Sequence, residues 1–276
     1  MQAKAQILAL ALTVTFPFGL YASPIVSGFN DANTSNPDIE FDVNFFGGTF
    51  TEIDVNRRGN ITFNGAFDSF ANDLDFHGKY VIAPFFEGIT DSVSGNAITF
   101  GTGSFMNNQA FGVTWTDVGG FAQGENTFQL ILANRFDPSD PSSSEGDFDV
   151  IFNYEKIEWD QTVFGDGARV GFSAPNGTEG DETFFQLDGS ASPGTFLDGS
   201  NGFPLVENSS SFGDITTDYF RSADGGEDGR YIYQFRTTFD SPQPVPAPST
   251  LALLGLGLIG FAALRRRPLS ASLNHA

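Results

Sequence analysis

Asn126-Thr127-Phe128-Gln129-Leu130-Ile131-Leu132 is the stretch whose reading decides the fold. Phe128, Leu130 and Leu132 recur at every second position, and in an extended backbone that period puts them on one face. Val150, Phe152 and Tyr154 repeat the pattern within Asp149–Tyr154, and Tyr231, Tyr233 and Phe235 repeat it again. No stretch of the body carries a convincing 3.6-residue period, so helices are not expected there. Upstream, Phe41, Val43 and Phe45 alternate with Asp42 and Asn44. Ile53 and Val55 lead into Arg57-Arg58-Gly59-Asn60, after which Ile61 and Phe63 follow, a hairpin signal. Further strands are predicted over 80–86, 97–100, 110–116, 127–134, 148–154, 168–173, 183–187 and 230–236, separated by turns rich in Gly, Asn and Asp. The expectation is an all-β chain whose body is a single antiparallel β-sandwich-like domain. Residues 23–38, the loop Asp137–Asp147 and the Pro-rich stretch 236–250 read as irregular, and no internal repeat is evident.

Composition narrows the function. The 276 residues include 32 Phe and no Cys, so the core must rest on aromatic burial rather than on disulfides. The absence of Cys also excludes thiolate metal sites and cysteine nucleophiles, and two histidines, His77 and His275, cannot build a three-histidine zinc site. Asp and Glu number 34 against 13 Lys and Arg, a net charge of −21, which argues against nucleic acid as a partner.

The two ends read as addresses. Residues 1–22 have the form of a secretory signal peptide: Lys4, a short apolar run from Ile7 to Val14, and the small residue Ala22. At the other end Val245-Pro246-Ala247-Pro248-Ser249-Thr250 precedes the apolar run Leu251–Leu264 and then Arg265-Arg266-Arg267. As a helix that run is about 21 Å long, short of a hydrocarbon core of about 30 Å, so it would span only with snorkelling arginines or local thinning. The three arginines predict that their flank stays cytoplasmic and that the body lies outside the inner membrane. Lys4 and the three arginines are four of the 13 basic residues and these ends hold no acids, which leaves a body with 9 basic residues against 34 acids and a net charge of −25.

The C-terminal order of Pro-rich tripeptide, short apolar helix and arginine cluster resembles the PEP-CTERM sorting signal of Gram-negative bacteria. The motif here is Pro246, Ala247 and Pro248 with Arg265, Arg266 and Arg267, Ala247 standing where the family name has Glu. The resemblance implies that an exosortase removes the tail and that the body reaches the cell surface or matrix after a transient stay at the inner membrane.

The middle of the chain resembles the nidogen-like (NIDO) extracellular domain. The matching stretches are Val55–Phe63, Ile82–Phe86, Val113–Thr116, Asn126–Leu132, Asp149–Tyr154, Ile157–Trp159, Ala168–Phe172 and Gly229–Tyr233, spanning about residues 45 to 236. The resemblance implies an adhesion or structural module of extracellular-matrix and cell-surface proteins, with no catalytic motif to carry over. The acidic residue that such domains have soon after the Ala-Pro-Phe stretch would be Glu87 or Asp91. The expected plan is signal peptide 1–22, nidogen-like β domain 23–236, tether and sorting motif 237–250, apolar transmembrane segment 251–264 and basic cytoplasmic tail 265–276.

Motifs for chemistry are sparse. There is no Gly-x-Ser-x-Gly elbow, no His-Glu-x-x-His and no phosphate loop. His77, in Asp75–Lys79, reads as a loop histidine, and Trp115 and Trp159 read as core rather than as sugar-stacking platforms. Asp137, Asp140, Glu145, Asp147 and Asp149 concentrate hard oxygen ligands and are the candidates for calcium, as is Asp224–Asp228, although neither follows the EF-hand spacing or a nonapeptide calcium repeat. The expected function is therefore a non-catalytic exported surface or matrix protein, acting in adhesion or exopolysaccharide-associated biofilm structure, with the exosortase as a partner, no cofactor unless calcium, and no catalytic residues. The alternatives are a secreted polysaccharide hydrolase working through paired carboxylates and a calcium-dependent carbohydrate binder.

Overall fold

The computed structural model describes residues 24–29, 37–67, 74, 78–89, 98–120, 124–161, 167–209 and 215–237. The chain divides into two units after Thr237, and the second unit, with the sorting motif and the apolar run, lies outside the described residues. So do the expected signal peptide, His77 and Asp91. Among the described residues all regular structure is β, and no helix is long and apolar enough to cross a membrane.

Thirteen strands are described: β1 (Asp38–Phe45), β2 (Gly48–Glu52), β3 (Asp54–Asn56), β4 (Asn60–Thr62), β5 (Val81–Phe86), β6 (Thr99–Phe105), β7 (Asn108–Gly119), β8 (Glu125–Asn134), β9 (Phe148–Ile157), β10 (Arg169–Ser173), β11 (Phe184–Gln186), β12 (Phe220–Ala223) and β13 (Arg230–Phe235). They form a six-stranded sheet in the order β12-β13-β9-β8-β7-β6, a five-stranded sheet in the order β11-β10-β5-β4-β3 and a ribbon β1-β2. Every pairing is antiparallel. Strands β2 and β12 escape the alternation reading because both are short and polar: Gly48–Glu52 exposes three of its five residues, and Phe220–Ala223 buries only Phe220.

The alternation seen in the sequence becomes the core. On the inner face of the larger sheet, register sets Val113, Leu130, Phe152 and Tyr231 in one row across the strands and Phe111, Leu132, Val150 and Tyr233 in the next. The smaller sheet answers with Ile61, Ile82, Val170 and Phe172, and β1 adds Ile39, Val43 and Phe45. Phe172 is the hub, its ring centroid 4.8–6.2 Å from those of Phe45, Phe46, Phe185, Phe220, Tyr233 and Phe235. Polar ends of buried aromatics bridge the sheets, since the Tyr154 hydroxyl donates to Pro84 O at 2.6 Å and Trp115 Nε1 donates to Asn56 O at 3.3 Å. Burial pushes the Tyr154 phenol well above its ordinary pKa, so it stays a donor. The expected β3–β4 hairpin turns at Gly59, where φ is +76° and an added Cβ would strike Phe85 O.

Candidate functional site

The outer surface offers a cleft of about 470 Å³ between β1 and the loop that follows β8. Period-two alternation makes one wall: Ile39 and Phe41 point inward, so Asp38, Glu40 and Asp42 stand in a row on the other side of β1. Asn134, Phe136 and Glu145 make the other wall, with Gln109 at the edge. The loop is tied to β1 by the Asn44 N–H donating to Gly146 O at 2.8 Å. Gln109 Nε2 donates to Glu40 O at 3.1 Å and fixes the turned backbone at Glu40, whose φ is +65°. Four carboxylates in one open cleft make a negative field beside two amides and the half-exposed ring of Phe136. Hydroxyl-rich ligands are met by such a set, because carboxylates and amides accept and donate to hydroxyls while a ring covers a sugar face.

The five calcium candidates do not converge. Asp137 and Asp140 are exposed and turn back on their own loop: Asp137 Oδ1 accepts from Ser139 Oγ at 2.6 Å, and Asp140 Oδ1 accepts from Ser142 Oγ at 2.7 Å. Those hydroxyls hold both carboxyls below their usual range. Glu145 faces the cleft instead. Asp147 is buried and works as a clamp on the end of the domain, Oδ1 accepting from Thr237 N at 2.7 Å and Oδ2 from Ser144 N at 3.0 Å. Asp149 is buried between two cations, with Arg135 Nε at 2.7 Å and Arg236 Nη1 at 2.9 Å. Among the described residues no group of three or more acidic or histidine side chains could hold a metal ion. Serines two or three residues away satisfy Asp137, Asp140 and Asp147, and Arg135 and Arg236 satisfy Asp149. Glu87 is wholly buried just after β5, Oε1 accepting from Gly88 N at 2.7 Å. Trp115 and Trp159 are both buried.

One feature that sequence reasoning missed lies on the outer face of the larger sheet. Thr114, Gln129, Asn153 and Arg230 are register partners on β7, β8, β9 and β13 and are all buried. Gln129 Nε2 donates to Thr114 Oγ1 at 2.9 Å, Asn153 Nδ2 donates to Gln129 Oε1 at 2.9 Å, and Arg230 Nε donates to Asn153 Oδ1 at 2.8 Å. Residues 24–29, expected to be irregular, lie across this row as a fixed strap. Gln129 both accepts from Val26 N at 3.0 Å and donates to Val26 O at 2.8 Å, and Arg230 Nη2 donates to Pro24 O at 2.6 Å. The ring of Phe29 sits where Cβ atoms on Gly103 and Gly112 would be. The available signal was that Gln129, Asn153 and Arg230 occupy the outward positions of otherwise apolar strands.

Two antiparallel sheets over a shared aromatic core, with a clamped C-terminal edge, define an all-β, sandwich-like module. A Nidogen-like domain model matches residues 96–237, and a PEP-CTERM protein-sorting motif matches residues 244–267. The first match covers just over half of the chain, and the chain belongs to the nidogen-like domain family. The sorting motif marks it as an exported protein recognised by an exosortase, with membrane-transient processing. The structural unit is larger than the family match: β10 within the match pairs with β5, and β5 with β4, so the five-stranded sheet needs residues 54–86. No curated protein and no solved structure matches the chain at a significant level.

Proposed function

We propose that this protein is a non-catalytic component of the cell surface or extracellular matrix, acting in adhesion or in exopolysaccharide-associated structure. The observation that carries the reading is the joining, in one chain, of a nidogen-like sandwich to a sorting tail that directs it out of the cell. The acidic cleft is the surface assigned to matrix glycans: Asp38, Glu40, Asp42 and Glu145 would bond sugar hydroxyls or amino groups, and Phe136 would pack on a ring. Exopolysaccharide from the producing cells is expected to co-sediment with the purified protein, and the Phe136→Ala and Glu145→Gln variants to retain less of it. Equal retention by wild type and both variants would remove the cleft from the reading. The same mixtures test the competing hydrolase reading, since the four carboxylates share one cleft. A fall in glycan chain length that Glu145→Gln or Asp42→Asn abolishes would establish an enzyme.

A further inference from the structure

The edges of the two sheets are not treated alike. The β12 edge is short, carries Arg221 and is covered by residues 215–217, with Ser222 N donating to Ile215 O and Thr217 N to Phe220 O, both at 2.9 Å. In the smaller sheet both edge strands, β3 and β11, have three residues, and β3 carries Asp54. Strand β6 is different. It has seven residues, all in unbroken register with β7, and among the described residues no strand pairs with its other side. Gly103 and Ser104 are exposed on it, and Met106, 58% exposed, stands at the turn that follows.

Edge strands of monomeric proteins are ordinarily guarded by a charge, a proline or a bulge. Strand β6 has none of the three. From Ser92 to Thr116 the sequence holds no Asp, Glu, Lys, Arg or Pro, the longest charge-free stretch between the two terminal address segments. In a body carrying −25, this is the place where two copies meet with least like-charge contact. It also offers no acidic row to attract a basic partner strand, which favours a partner as neutral at this edge as β6 itself.

We propose that β6 is a self-association edge, pairing antiparallel with β6 of a second copy about a two-fold axis near Thr102. The small residues Gly101, Thr102, Gly103 and Ser104 let the two backbones approach, and backbone N–H and C=O groups supply the bonds. The contact is isologous and uses up the open edge of each copy, so it closes at a dimer with one continuous twelve-stranded sheet and does not propagate. It is independent of the glycan reading.

The chain has no cysteine, so single cysteines report the contact directly. In the full exported protein, Thr102→Cys is expected to form a disulfide dimer on mild oxidation, since the axis sets it opposite its own counterpart, and Arg221→Cys on the covered edge to remain monomeric. Sedimentation of the wild type is expected to show a concentration-dependent dimer that salt strengthens, because added ions screen the repulsion between two acidic bodies. Thr102→Lys would place like charges directly opposite each other at the axis and raise the dissociation constant by at least about tenfold, with an unchanged circular dichroism spectrum. A monomer at every concentration would overturn the proposal. So would a dimer indifferent to Thr102→Lys, or an association that salt weakens, the mark of an ion-paired interface elsewhere.

Discussion

The inner and outer faces of the six-stranded sheet are built from the same strands and held by different physics. Inward, β7, β8, β9 and β13 present Phe111, Val113, Phe128, Leu130, Phe152, Tyr231 and Tyr233, a surface whose stabilisation grows with the area removed from water. Outward, the next residue along each strand contributes to the row Thr114, Gln129, Asn153 and Arg230, where each hydrogen bond depends on the register of its neighbour. An apolar face tolerates some rearrangement, because burial has no direction. A buried polar row does not, since a one-residue slip would strand amides without partners. Apolar burial stabilises both faces, since Ile131, Ile151 and Ile232 pack with Phe29 on the outer one, but only the outer face adds a polar row that fixes the register and seats the strap.

The contrast breaks first at Phe172. Phe172→Ala is expected to cost about 3–5 kcal/mol, since it empties the centre of the aromatic cluster. Chemical denaturation would measure it, and a loss near or below 1 kcal/mol would mean that the two sheets do not share one core. Gln129→Leu tests the other face at nearly constant volume. It leaves Asn153 Nδ2, Val26 N and Val26 O without their partner, at an expected cost of about 2–3 kcal/mol. The distinguishing readout is local: amides of the strap should lose hydrogen-exchange protection while the near-ultraviolet spectrum of the aromatic core is kept. A strap that stays protected would show that Phe29 on its glycine floor, rather than the polar row, holds it in place.

How much of this was legible follows the same divide. The alternation of Phe128, Leu130 and Leu132 predicts both the strand and its buried face, because one period of two serves every residue in it. The outer row was hidden because Gln129, Asn153 and Arg230 look like ordinary solvent-facing residues until the strap is laid across them. Residues 24–29 carry no periodicity and owe their position to side chains more than a hundred residues away. The calcium candidates disperse for a related reason: acids dense in sequence need not share a centre, and Asp147 and Asp149 serve the end of the domain through Thr237 and Arg236. The cleft draws on β1 and on a loop about a hundred residues later, so its carboxylates were visible singly but not as a set.

The smallest effect sharpens the comparison most finely, through pH. The outer row uses Thr, Gln, Asn and Arg, none of which titrates between pH 4 and 8, so protection of the strap should be flat across that range. Global stability should not be flat, and Asp198 is one reason. Its carboxylate accepts from Ile157 N at 3.1 and 3.2 Å, at the end of β9. Burial, with the charges of Glu207 and Glu158 nearby, pushes its pKa up to about 6. A carboxyl raised in the folded state holds its proton more tightly there than in the unfolded chain, so its contribution to stability falls as pH rises from about 4 to about 6 and is level above. Asp198→Asn keeps an acceptor for Ile157 N and cannot ionise. The variant should match the wild type below pH 4 and melt higher at neutral pH. The gain should be small, on the order of 1–2 °C, because the carboxyl is only partly shielded and the water that reaches its exposed side screens much of the penalty. A difference between the two melting curves that does not change with pH would show that Asp198 is ordinary, and a strap whose protection follows the same pH profile would show that the two faces are not separate.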